Sequence, residues 1–172
     1  ASAKRRGMPI LAEITGYGAS SDSHHITQPT LDGPVKAMCD AIADAGLEPE
    51  DIDYINAHGT ATWQNDKNET AAIKAVFNSH AKQIPVVANK AAFGHSIAGS
   101  GALELIGCVM SINENLLPPT INYTTPDEEC DLDYVTEGKR SHPISHVLSN
   151  SFAFGGSNAT LVVSEYNANG SN

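Results

Sequence analysis

Residues 8–17 alternate, with Ile10, Ala12 and Ile14 on one side and Leu11 and Glu13 on the other. That period predicts a strand, loosened at its end by Gly16 and Gly18. A polar, loop-like stretch comes next over 20–29, holding His24-His25. Neighbours in an extended chain point to opposite faces, so this pair makes a poor metal chelate. From Asp32-Gly33-Pro34 the period becomes helical, with Pro34 in the first turn, Val35, Met38, Cys39 and Ile42 on the apolar face, and Gly46 as the stop. Residues 52–57 predict a strand aimed at His58. Asp66 then reads as an N-cap and Glu69 as its capping-box partner, ahead of a helix with Ile73, Val76 and Phe77 on one side. The continuous apolar run 84–88 predicts a strand covered on both faces. A Gly-rich loop and a helix over 103–113 come next, then a break at Pro118-Pro119 and a short strand around 132–135. Residues 145–150 and 159–165 predict an antiparallel hairpin about the Phe154-Gly155-Gly156-Ser157-Asn158 turn. The series strand–helix–strand–helix–strand–helix–hairpin is an α/β pattern with a mixed sheet.

Bulk properties narrow this picture. The chain has 172 residues, enough for one domain with a sizeable core, and no apolar run long enough to span a membrane. It opens on Ala1 rather than Met, without a signal-peptide pattern, which suits a processed product or a piece of something longer. Residues 167–172 read as a frayed polar tail. A net charge of −10 argues against a general nucleic-acid binder. Cys39, Cys108 and Cys130 form no metal or redox motif. Cys39 and Cys108 sit in helical patterns as buried apolar residues, and a reducing, cytoplasmic setting is expected. No metal site is indicated.

Candidate chemistry lies in three loops. His58, at a strand end before Gly59 and Thr60, has room for a ligand beside it or is a turn histidine bonded to backbone. Lys90 directly follows a buried strand, where an unpaired ammonium is costly, and Glu104 in the next helix is a partner that can reach back. With His95, that pair either holds local charge and orients an imidazole or is a structural ion pair under a loop. Phe154-Gly155-Gly156 exposes backbone N–H groups of the kind that bind oxyanions, or is a plain hairpin turn. Thr60 and Thr62 are candidate hydroxyl donors. Two histidines can donate to one developing oxyanion or shuttle a proton. None of the cysteines sits on a strand-to-helix elbow beside glycines, so no nucleophile stands out.

Taken together, three ordered motifs make the chain resemble the C-terminal half of a β-ketoacyl-acyl-carrier-protein synthase. Asn56-Ala57-His58-Gly59-Thr60-Ala61-Thr62 resembles the family's His-Gly-Thr motif, continued by Asn65-Asp66. Lys90, Gly94-His95, Gly99, Gly101 and Glu104 resemble its Lys…Gly-His…Gly…Glu motif. The stretch 150–158 resembles its closing Asn-Ser-Phe-Gly-Phe-Gly-Gly-Thr-Asn run, with Ala153 for Gly and Ser157 for Thr. Trp63-Gln64-Asn65 departs from the more usual Pro-Leu-Gly turn. The likeness covers nearly the whole chain.

The resemblance implies the thiolase fold: a βαβαβαββ half over residues 1–166, two such halves stacking into a five-layer αβαβα body. It implies decarboxylative condensation of an acyl thioester with a malonyl-acyl carrier protein in fatty-acid or polyketide synthesis. His58 and His95 would bind the thioester oxygen, Lys90 and Glu104 would support them, and Thr60 and Thr62 would contact the phosphopantetheine arm. Phe154 would gate the acyl pocket while its backbone N–H joins the oxyanion hole with Gly155 beside it. No cofactor is implied beyond the arm that the carrier brings. The family's cysteine nucleophile belongs to the N-terminal half, which is absent here, so the isolated chain is expected to be inactive. Expected partners are that half, an acyl carrier protein met by Lys4, Arg5 and Arg6, and a second ketosynthase subunit, in a homodimer or a heterodimer. Neither nucleic acid nor membrane is expected as a partner. The alternative from a different class is a non-catalytic chain-length-factor-like subunit. A thiolase would need a C-terminal Cys-x-Gly loop, which 153–156 does not supply.

Overall fold

In chain order the elements are α1 (Ser2–Arg5), β1 (Glu13–Ser21), α2 (Asp32–Asp44), β2 (Tyr54–Asn56), α3 (Trp63–Phe77), β3 (Val86–Val87), α4 (Lys90–Phe93), α5 (Ser100–Glu114), β4 (Leu116–Leu117), β5 (Arg140–Ser141), β6 (His146–Ala153) and β7 (Ser157–Ser164). They come from a computed structural model that describes residues 2–22, 25 and 30–167. His24 and residues 168–172 of the expected tail lie outside the described residues. One mixed sheet has the order β1-β7-β6-β2-β3. β1 with β7 and β7 with β6 are antiparallel; β6 with β2 and β2 with β3 are parallel.

Period-two alternation assigns the two faces. Ile55, Leu148 and Val162 pack with Met38 and Ala41 of α2 and Ile73 and Phe77 of α3. Tyr54, Val147 and Val163 point the other way and pack with Cys108 and Ile112 of α5. The result is a three-layer α/β/α body.

The expected hairpin is present, in register from His146↔Ser164 to Ala153↔Ser157, but its turn is tighter: Ser157 and Asn158 belong to β7 and only 154–156 turn. β1 does not end at its glycines but runs through them to Ser21, which corrects both the 8–17 strand and the loop from Ser20. A Cβ on Gly16 would stand 2.1 Å from the Ala41 carbonyl oxygen, and one on Gly18 2.0 Å from that of Ala37. The glycines are where α2 lies directly on the strand.

Cys39 is exposed, not buried. The inward stripe of α2 is Pro34, Ala37, Met38, Ala41 and Ile42, and Cys39 falls outside it. α3 begins at Trp63, which puts Asp66 inside its first turn and dissolves the capping box with Glu69. Residues 132–135 form no strand; Asp133 makes an isolated bridge to Pro85, and its carboxylate accepts from Arg140 at 2.8 Å. Lys90 opens the short α4 rather than lying in a loop, and α5 starts at Ser100 after a 3₁₀ turn.

Candidate active site

β6, β2 and β3 are parallel neighbours, so their C-terminal ends share one edge of the sheet. Asn56 stands level with Val87 and Ser149. The residues at and beyond these strand ends therefore converge: His58 after β2, Lys90 after β3, and Asn150 to Phe152 at the end of β6. Sites in open α/β sheets form on this edge. Buried amides tie the strand ends together. Asn89 Nδ2 donates to Asn56 Oδ1 at 2.8 Å, and Asn56 Nδ2 donates to Ser149 Oγ at 3.0 Å.

Lys90 is 7% exposed and Glu104 is fully buried. The Lys90 ammonium has three acceptors around it: Glu104 Oε1, the His58 carbonyl oxygen at 2.6 Å and His58 Nδ1 at 3.3 Å. An ammonium has three donors and accepts nothing. His58 Nδ1 must therefore be unprotonated, which leaves the ring proton on Nε2. Burial, followed by the charge of Lys90 and the neighbouring His95, pulls the His58 pKa down to about 3, so the ring is neutral. Burial pushes the Glu104 carboxyl up, opposed by its contact with Lys90.

His95 reaches the same place from the opposite side. Gly94, at φ +78°, ends α4 and turns the chain back toward β2. The two imidazoles meet edge to face with centroids 5.6 Å apart. His95 Nδ1 accepts the Ile97 N–H at 3.1 Å. It too is unprotonated, and its Nε2 carries the hydrogen. Each ring thus carries its hydrogen on Nε2, and both line one open cleft of about 1070 Å³. Ile97 is held at φ +51°, an outlier for a β-branched residue, with a cost of order 1–3 kcal/mol.

Of the remaining expected residues, Thr60, Thr62 and Phe154 line this cleft and Gly155 does not; Tyr17 and Ala19 of β1 and Phe152 of β6 line it as well. The Thr60 and Thr62 hydroxyls are bonded to each other at 2.9 Å. Phe154 is 83% exposed beside Gly155, which sits at φ +78°. The turn is anchored through Asp22, whose N–H donates to the Gly156 carbonyl at 2.8 Å and whose Oδ1 accepts from Asn158 Nδ2 at 2.8 Å. A Cβ on Gly156 would lie 2.6 Å from that of Asp22. Lys4, Arg5 and Arg6 are not among the residues that line the cleft, and the Lys4 ammonium lies over the Tyr166 ring.

Glu69 belongs to the site although its pattern pointed to a helix cap. From the buried side of α3 its Oε1 accepts the His58 N–H at 2.8 Å and its Oε2 the Gly59 N–H at 2.9 Å. Asn150 Nδ2 adds a third bond at 3.1 Å. Its signal was available: Glu69 precedes Ile73 by four residues and shares that helix face. The cysteines offer no activated thiol. Burial pushes Cys108 up to about 12 and raises Cys39 and Cys130 as well.

Two neutral imidazole N–H donors lining one cleft, backed by a buried ion pair, can stabilise negative charge developing on a carbonyl oxygen. The family model described as Beta-ketoacyl synthase, C-terminal domain, matches residues 11–124. The chain belongs to the beta-ketoacyl synthase family. Nodulation protein E of Rhizobium meliloti is 50% identical over 159 residues, covering 92% of this chain and 40% of that protein. A 3-oxoacyl-acyl-carrier-protein synthase 2 of Synechocystis sp. is 47% identical over 167 residues, with 96% and 40% covered. A solved type II polyketide acyl-carrier protein complex with its ketosynthase, bound to the hexaketide, matches with a TM-score of 0.92 and 37% identity. It covers 95% of this chain and 41% of its counterpart. The chain therefore spans about two fifths of the length of these relatives. Its mixed sheet with helices on both faces is the C-terminal half of the thiolase fold.

Proposed function

We propose that this chain supplies the malonyl-activating half of a ketosynthase site, in fatty-acid or polyketide synthesis. The observation that carries the reading is the matched pair His58 and His95, each with Nδ1 occupied as an acceptor and both lining one cleft. A malonyl thioester whose carbonyl oxygen sits between them loses CO₂. The electrons of the broken C–C bond move onto that oxygen as an enolate, where two neutral donors stabilise the charge. The enolate carbon then attacks an acyl thioester carried on a cysteine of the N-terminal half, and the cysteine sulfur departs as thiolate. Lys90 and Glu104 act through His58. Thr60 and Thr62 offer hydroxyls to the phosphopantetheine arm, and Phe154 stands at the acyl pocket, where its N–H and the Gly155 turn serve the second oxyanion. The solved relative in complex with an acyl-carrier protein supports the same class of partner here. The synthase names of relatives favour this over a chain-length-factor-like role.

The test is condensation by the intact protein that contains this chain, given acyl- and malonyl-carrier proteins and monitored by CO₂ release. The wild type is expected to condense. His58→Ala and His95→Ala should each lower malonyl decarboxylation by about 10²–10³-fold while sparing acyl transfer to the cysteine. An intact protein that neither transfers acyl groups nor decarboxylates malonyl thioester sinks the reading.

A further inference from the structure

We infer that Ser100 is a positioning residue for His95, holding the ring in its Nε2–H tautomer through the strained turn between them. Ser100 is the first residue of α5 and is 4% exposed. Its Oγ accepts the Ser96 N–H at 2.9 Å and lies 3.0 Å from His95 Nδ1. Since Nδ1 already receives the Ile97 N–H, it carries no proton, and Ser100 must be the donor of that contact. One hydroxyl thus ties the His95 ring to the Ser96 backbone. The Ile97 amide is placed by the torsions of Ser96, φ −88° and ψ +24°, in the sparsely populated bridge region, and such backbone persists only where its surroundings over-determine it. Ser100 supplies that constraint. Without it, Ser96 N–H loses its acceptor, Ser96 is free to relax and swing the Ile97 amide away, and both donors to Nδ1 are lost together. His95 can then move its proton to Nδ1 and turn a lone pair, not an N–H, toward the cleft.

The catalytic consequence rests on the ketosynthase reading; the tautomer does not, which keeps the two failures separable. Selective ¹⁵N-histidine spectra of the intact protein should show His95 as a single Nε2–H form in the wild type and as a mixture in Ser100→Ala. Malonyl decarboxylation should fall roughly tenfold in Ser100→Ala with acyl transfer unchanged. Ser100→Thr, which keeps the hydroxyl, should retain the wild-type tautomer and remain within about twofold of its rate. A single Nε2–H form in Ser100→Ala overturns the assignment. So does an equal loss of both partial reactions, or a Ser100→Thr protein with mixed tautomers. The Thr variant decides the matter if the Ala variant does not fold. A wild type with the expected tautomer but no decarboxylation defeats the proposed function instead.

Discussion

Lys90 and Glu104 are a buried pair whose two members do different work. Removing the lysine alone leaves a carboxylate without a partner inside the protein, which costs about 3–5 kcal/mol. Lys90→Met should therefore destabilise the intact protein by that amount in denaturant unfolding. Lys90→Met with Glu104→Leu should recover most of the loss, because the orphaned charge goes too. Decarboxylation should stay low in both, since neither holds His58 Nδ1 as an acceptor. A double variant that regains activity along with stability would reduce the pair to scaffolding. His58 gives a pH prediction with a definite sign. Its folded pKa of about 3 lies below the 6.5 of an unperturbed histidine, so between those values only the unfolded chain binds the proton. The stabilisation is complete above about pH 6.5 and drains away as pH falls toward 3, by up to about 1.4 kcal/mol per unit. His58→Gln should flatten this limb of a stability-versus-pH titration, and an unchanged slope would contradict the neutral, buried ring.

At the scale of elements, close approach of α2 to β1 decides how the sheet edge is built. Ala at Gly16 or Gly18 would drive a methyl into a helix carbonyl oxygen at 2.1 or 2.0 Å, too near for any rotamer to relieve. Each substitution should destabilise by about 1–3 kcal/mol or more, read as a lower midpoint in denaturant. The same contact explains what the chain's pattern could and could not disclose. The β6–β7 hairpin was legible because Val147, Leu148, Val162 and Val163 are an apolar block around a glycine turn, and every one of them is buried. β1 was misjudged because its glycines look like weak strand formers until a helix is laid on them. β4 and β5 are two residues each and exist through a pairing between distant segments, so no local period announces them. In the site, His58 and Lys90 were legible as polar groups just after strands, and His95 and Glu104 from the loop and helix that follow Lys90. Glu69 was hidden because an acid three residues after Asp66 fits a capping box as well as a buried helix face. Ser100 was hidden because a serine among glycines resembles a plain helix start, and its work lies in a backbone turn.

Across the whole molecule, apolar surface remains on the side away from the α2–α3 core. Along α5 the sheet takes Glu104, Cys108, Ser111 and Ile112, while Leu103, Ile106 and Met110 on its other side are 41%, 57% and 57% exposed. A helix apolar on two sides belongs between two layers, not at an edge. Residues 92–99 of the His95 loop, which lines one side of the cleft, are likewise all exposed. Both features suit a second half laid over α5, of the size by which the relatives exceed this chain. Burial raises the pKa of all three thiols, which disfavours the thiolate that would carry an acyl group. The isolated chain, mixed with acyl- and malonyl-carrier proteins, should accordingly give no condensation product. Adding the N-terminal portion, joined or as a second chain, should restore it. Ile106→Asp with Met110→Asp should make the isolated chain more soluble, yet block that restoration and the association seen by sedimentation. Condensation by the isolated chain would show that a nucleophile lies within these residues after all, and normal assembly of the doubly charged variant would place the second half somewhere other than on α5.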